Sequence, residues 1–267
     1  MTTISMPTGV RPTRRYEWAT FEGVWNRQIT LFKRYWMSST TGSVVQPIIY
    51  LLAFGLGVGT LVATVDNISY VEFVGTGSVA TAVLFASAFP GMFNTYVQRV
   101  FQKTYDALLA APVSVDELTL AEGTWIATKA GVYGSFPLVV TFFFGLAPTW
   151  GMLLVPFIGF LTGLGFAFFG MWVSAIIKNI EQTSYITSIV LTPLFLVAGT
   201  FFPISNLPQG LQVAAQFNPL YHCVELVRAA SFGWQMPNDL YHFGVLIVFA
   251  VLTWLLAVAQ LRKKLVD

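Results

Sequence analysis

Six stretches of this chain are nearly free of charge, and nothing else constrains its fold so strongly. They are Thr41–Ala63, Phe73–Tyr96, Leu118–Leu146, Gly151–Ile177, Ser184–Phe202 and Leu240–Leu261. A helix needs ~20 apolar residues to cross ~30 Å of hydrocarbon, and each stretch is about that long. The 267 residues are 55% hydrophobic and 10% charged, with a mean hydropathy of +0.69. Soluble domains carry roughly 25% charged residues, so polar cover for a water-facing surface is missing. The expected fold is an all-α membrane protein with six transmembrane helices. Glu122 and Lys129 fall near the start of the third stretch, which shortens its apolar part to about Ala130–Leu146. Prolines 47, 90, 137, 156 and 193 lie inside the stretches, where membrane helices tolerate them better than soluble ones.

Residues 15–37 break this pattern. Trp18, Phe21, Trp25, Ile29, Phe32 and Trp36 recur at steps of three and four, with charges between them. One apolar helical face with charged flanks predicts an amphipathic helix lying in the membrane interface. Residues 1–38 are therefore read as a cytosolic N-terminus plus interfacial helix, with no cleaved leader, and residues 39–267 as the six-helix domain. Loop charge gives the orientation. With the N-terminus inside, 13 of the 14 Lys and Arg residues fall on inner segments and only Arg228 falls outside. The positive-inside bias then puts both termini in the cytoplasm.

Several chemistries lack their residues. Cys223 is the single cysteine and the histidines are two, His222 and His242, so no cysteine cluster or histidine-rich metal site is expected. The net charge of +2 gives no reason to expect nucleic acid. No GxxxxGK[ST] phosphate cradle occurs, nor any HExxH, GxSxG or catalytic carboxylate pair. An ion-coupled carrier or channel needs ionisable groups near mid-membrane, and those positions are apolar; it remains the alternative reading. A lipid-modifying enzyme would have to rely on His222 with Glu225, which lack a nucleophile. Glu122 and Lys129, two helical turns apart near the inner surface, form either an interfacial anchor with a snorkelling lysine or an inner gate.

Two connections stand apart. Gln102–Ala111 predicts a short amphipathic inner helix, with Tyr105, Leu108 and Leu109 on one side and Lys103 and Asp106 on the other. Pro112 ends it, and Ser114 with Glu117 can cap the next helix. The outer connection, Pro203–Asp239, is too apolar for an exposed loop and predicts two short helices broken at Asn218-Pro219, re-entering the outer leaflet. His222, Glu225 and Arg228 follow one another there at three-residue steps, so Glu225 and Arg228 can pair. That trio is either a structural clamp or a contact at the exit.

At these two places the sequence resembles the type-2 permeases of ABC exporters, in the branch of nodulation lipo-oligosaccharide exporters and actinobacterial drug-export permeases. Thr104, Asp106, Leu108, Leu109, Ala111, Pro112 and Val113 match that family's coupling-helix region, about residues 102–112. Phe202-Pro203, Leu207-Pro208, Asn218-Pro219-Leu220, His222, Glu225 and Arg228 match its extracellular re-entrant hairpin, about residues 203–232. The resemblance implies a non-enzymatic permease subunit in a bacterial plasma membrane. It implies two ABC ATPase subunits that hold ATP and magnesium, while this chain binds no cofactor. It also implies a second permease, either a copy or a paralogue, and an amphiphilic substrate: a drug, a lipid or a lipid-linked saccharide.

Overall fold

The computed structural model describes residues 18–62, 64–65, 68–111 and 113–265. Helices α1 (Trp18–Leu52), α2 (Tyr70–Tyr96), α3 (Thr104–Leu109) and α4 (Val115–Gly134) are followed by α5 (Phe136–Phe142) and α6 (Val155–Ile176). Short helices α7 (Gln182–Ile186) and α8 (Thr192–Leu196) precede α9 (Gln209–Gln216), α10 (Pro219–Phe232) and the terminal α11 (Asn238–Leu265). Among the described residues, strand is confined to Thr64–Val65 paired antiparallel with Ile68–Ser69. The all-helical expectation holds.

Among the described residues all six charge-poor stretches are mainly helical, and three helices there are long and apolar enough to cross a membrane on length and composition. These are Tyr70–Phe101, Trp150–Ile176 and Asn238–Leu265. The other stretches are interrupted. The third breaks at Ser135, where Pro137 enters the first turn of α5. The fifth runs through α7, a π-helical turn at Thr187–Leu191, and α8, with Pro193 in the first turn of α8. Proline lacks the N–H of a helix interior but costs nothing in a first turn, so these prolines begin new helical segments. The first stretch is continuous with the segment before it: α1 runs from Trp18 to Leu52, kinked at Tyr35 (φ −119°, ψ 18°). A π turn at Ala53–Gly57 and a 3₁₀ turn at Val58–Thr60 continue it.

Helix α6 is the centre, packed against α2, α4 and α11. In lipid there is no hydrophobic gain from pressing helix on helix, so close backbone approach supplies the attraction. Gly91 and Gly170 provide it where α2 meets α6. A Cβ on Gly170 would sit 2.5 Å from the Ala88 carbonyl oxygen, and one on Gly91 would sit 2.6 Å from that of Ala167. The main core then fills with Val79, Leu84, Met92, Ile158, Phe166, Leu220, Val224, Val227 and Leu246. Reciprocal capping starts α2 at Ser69 with Glu72 and α4 at Ser114 with Glu117. The opposite side of α11 exposes Ile247, Val248, Val251, Leu252, Leu255 and Leu256, an apolar surface suited to lipid rather than water.

Candidate functional site

The predicted inner helix is α3, shorter than the sequence suggested. Lys103 before it adopts φ 53°, which ends helical continuity with α2, and Pro112 lies outside the described residues. The two faces separate as the spacing predicts. Tyr105 is 1% exposed, Leu108 and Leu109 are half-buried, and Asp106 is exposed. Tyr105 sits in a cluster with Val24 of α1 and Leu118 and Ala121 of α4, alongside Phe21, Trp25 and Leu265. Helix α3 is therefore rooted by buried Tyr105, with Leu108 and Leu109 packed beside it, against three other helices. Thr104 is half-buried, and Asp106 meets Lys103 at 3.6 Å, an exposed pair of little energetic weight.

Behind Tyr105 lies a buried charge. Glu122 is 2% exposed and accepts a 2.5 Å bond from the Arg27 guanidinium and a 2.5 Å bond from Gln28 Nε2. Arg27 also donates to Gln98 Oε1 at 2.8 Å. Three elements thus meet in one network: α1, the α4 wall and the π turn Val97–Phe101 just ahead of α3. Lys129 does not join Glu122 in an ion pair; its ammonium lies 5.8 Å from the centre of the Trp125 ring. Trp25 and Phe32 of α1 meet the same ring edge-on, and Trp25 Nε1 donates to Thr124 Oγ1 at 3.3 Å. The aromatic stripe of α1 accordingly divides: Trp25 and Phe32 turn inward to α4, whereas Trp18 and Trp36 are 83% and 54% exposed. Arg262 near the end of α11 bonds Asp116 at 2.6 Å, and Arg99 donates to the Ser174 carbonyl at 2.6 Å. Arg27, Arg99 and Arg262 therefore share the α3 end of the bundle.

The second predicted set lies at the opposite end. Asn218 starts α10, accepting from Leu220 N at 3.0 Å and donating to the Leu194 carbonyl at 2.7 Å. Pro219 occupies the first turn, so the chain breaks into two helices where the sequence placed the break. Glu225 and Arg228 approach to 3.5 Å. Arg228 also donates to the Gly199 carbonyl at 2.7 Å and stacks 3.8 Å from the Phe73 ring centre, which fastens α10 to α2 and the segment after α8. His222 leaves this pair. It is fully buried, with Nδ1 2.6 Å from His242 Nδ1 and Nε2 2.8 Å from the Gln216 carbonyl. The carbonyl only accepts, so neutral His222 carries its proton on Nε2, and His242 donates from Nδ1. Nearby, Tyr50, Phe54, Tyr70, Phe195, Phe201 and Phe202 border an apolar cavity of about 480 Å³.

Sequence reasoning missed Arg27 and Gln28 as partners of Glu122, Gln98 as partner of Arg27, and His242 as partner of His222. One signal was available: a carboxylate inside an apolar helix requires a cation or donors, and few cations lie at that level.

Apolar outer faces, glycine-mediated helix packing and charge confined to the two ends define a helical integral membrane protein. The ABC-2 type transporter family model matches residues 20–232. Nodulation protein J of Rhizobium meliloti (strain 1021) is 33% identical over 256 residues, 95% of this chain and 96% of that protein. Nodulation protein J of Rhizobium leguminosarum bv. viciae is 31% identical over 242 residues, covering 91% and 93%. The inner membrane transport permease YadH of Escherichia coli (strain K12) is 23% identical over 246 residues, covering 92% and 96%. The chain belongs to the ABC-2 type transporter permease family, as the resemblance at Thr104–Val113 and Phe202–Arg228 indicated.

Proposed function

We propose that this chain is the membrane half of an ATP-driven exporter that carries an amphiphilic substrate, such as a drug, lipid or lipid-linked saccharide, outward across a bacterial plasma membrane. The interrupted stretches complete six passes, because each can satisfy its backbone against neighbouring helices where it breaks. The α3 end faces the cytoplasm with both termini, and α9–α10 form a re-entrant hairpin outside. Two ABC ATPase subunits dock at α3 and hold ATP and magnesium, and a second permease completes the pathway. The observation that carries this reading is the build of α3: an exposed face at Asp106, Ala107 and Ala110, and a root at Tyr105 wedged between α1 and α4. A push on the exposed face has to move α1 and α4. Closure of the ATPases then favours the outward-open state by differential binding. The apolar cavity at the hairpin end supports an amphiphilic cargo.

The test uses the permease reconstituted with its ATPase. Asp106→Lys and Leu109→Asp are each expected to insert normally and to leave ATP hydrolysis running with export reduced at least tenfold. Normal export by both variants, or export without any ATPase, sinks the proposal. Sidedness is checked separately. The only native thiol, Cys223, is buried, so Lys103→Cys gives one reactive site, and an impermeant maleimide is expected to label it only from the cytoplasmic side.

A further inference from the structure

A cavity of about 270 Å³ opens between α1, the end of α2 and α4, lined by Arg27, Gln28, Leu31, Phe32, Tyr35, Asn94, Val97, Gln98, Gln102, Trp125 and Lys129. Its chemistry is divided. Asn94, Gln98 and Gln102 recur every four residues and form one polar wall of amides, while Leu31, Phe32, Tyr35 and Trp125 form an apolar one. Its charge is unbalanced: Arg27 and Lys129 contribute two positive charges, and Glu122, already committed to Arg27 and Gln28, contributes one negative. Among the described residues, Lys129 makes no hydrogen bond and no close ion pair; it contacts the Trp125 ring and feels Glu122 only at longer range. The Arg27 side chain keeps a quarter of its surface exposed beyond its bonds to Glu122 and Gln98. A helical side chain leans toward its helix N-terminus, so Lys129 points back toward the α3 end, where the membrane surface lies.

Two cations against one carboxylate, amide donors and an adjoining aromatic wall suit a ligand with an anionic head and an apolar body. We infer that this cavity binds the phosphate headgroup of an anionic phospholipid from the leaflet at the α3 end. Lys129 and the exposed part of the Arg27 guanidinium hold the phosphate, the Asn94–Gln98–Gln102 edge donates to its oxygens, and the chains run along Leu31, Phe32 and Tyr35. The amphiphilic body favours a lipid over a free ion, because an inorganic anion leaves the aromatic wall unused. The leaflet named here rests on the orientation proposed above; the site itself does not.

Binding is measured on the purified full chain in micelles, by Trp125-sensitive fluorescence and native mass spectrometry. The probes are short-chain phosphatidylglycerol, phosphatidylcholine of the same chain length, and inorganic phosphate. Phosphatidylglycerol is expected to bind at least tenfold tighter than either competitor. Lys129→Gln is expected to weaken it about tenfold, and Lys129→Arg to restore it, which separates loss of charge from loss of fold. Equal binding of phosphatidylcholine, or an unchanged phosphatidylglycerol affinity in Lys129→Gln, overturns the inference. Inorganic phosphate binding as tightly as phosphatidylglycerol overturns the lipid as occupant. Micelles have no sides and the assay needs no ATPase, so failure here leaves the export reading intact, and failed export leaves this site intact.

Discussion

Gly170→Val is expected to remove nearly all folded protein from the membrane, whereas Gly244→Val leaves its amount unchanged. Both glycines lie in long apolar helices, α6 and α11, so propensity and hydropathy change alike. Their surroundings differ. Around Gly244 a Cβ meets nothing within 4 Å. At Gly170 it meets the Ala88 carbonyl oxygen at 2.5 Å, and Gly91 C and Met92 N at 2.8 Å. These obstacles are backbone, which no rotamer change moves aside. Overpacking a well-filled core costs about 1–3 kcal/mol even when side chains can yield, and here α2 and α6 must separate along their shared face. The loss of contact spreads through the core of Val79, Leu84, Met92 and Phe166. Yield of monodisperse protein after detergent extraction measures the outcome, and wild-type yield for Gly170→Val refutes the backbone contact between α2 and α6.

What the sequence revealed and what it hid have separate physical causes. The α3 segment was readable because its information is local: Tyr105, Leu108 and Leu109 oppose Lys103 and Asp106 within two turns. Ser114 and Glu117 likewise announce a helix start at a fixed three-residue offset. The break before Pro219 was readable for the same reason. Hydropathy, by contrast, sums residues over a stretch and is blind to backbone continuity, so it gave equal standing to α6 and to the pieces divided at Ser135 and at Thr187–Leu191. The same limit hid the continuity of α1, since charges at Lys33 and Arg34 end an apolar run without ending a helix. Pairings of distant residues leave no period at all. Arg27 and Glu122 are 95 positions apart, and His222 and His242 are joined only because α10 packs on α11. The buried charge at 122 signalled that a partner exists, not which residue it is.

That partner gives the second large effect. Arg27→Ala leaves Glu122, 2% exposed, with Gln28 as its one remaining donor among the described residues. Removing one member of a buried ion pair costs about 3–5 kcal/mol, because the other charge stays desolvated and uncompensated. Glu122→Gln is expected to cost clearly less. The amide keeps a hydrogen bond to Gln28, and the Arg27 side chain, 25% exposed, can turn toward water. The double variant Arg27→Met with Glu122→Leu is expected to recover most of the loss, since apolar replacements of similar volume are often neutral once both charges are gone. Unfolding in a detergent titration supplies the ranking, with Arg27→Ala least stable. The double variant carries the functional question. It restores packing at the α1–α4 contact but not the Arg27–Gln98 bond to the turn ahead of α3. Stability is therefore expected to return while export per ATP hydrolysed stays low. Equal recovery of both quantities would reduce the network to a structural brace, and wild-type stability of Arg27→Ala would remove the ion pair from the account altogether.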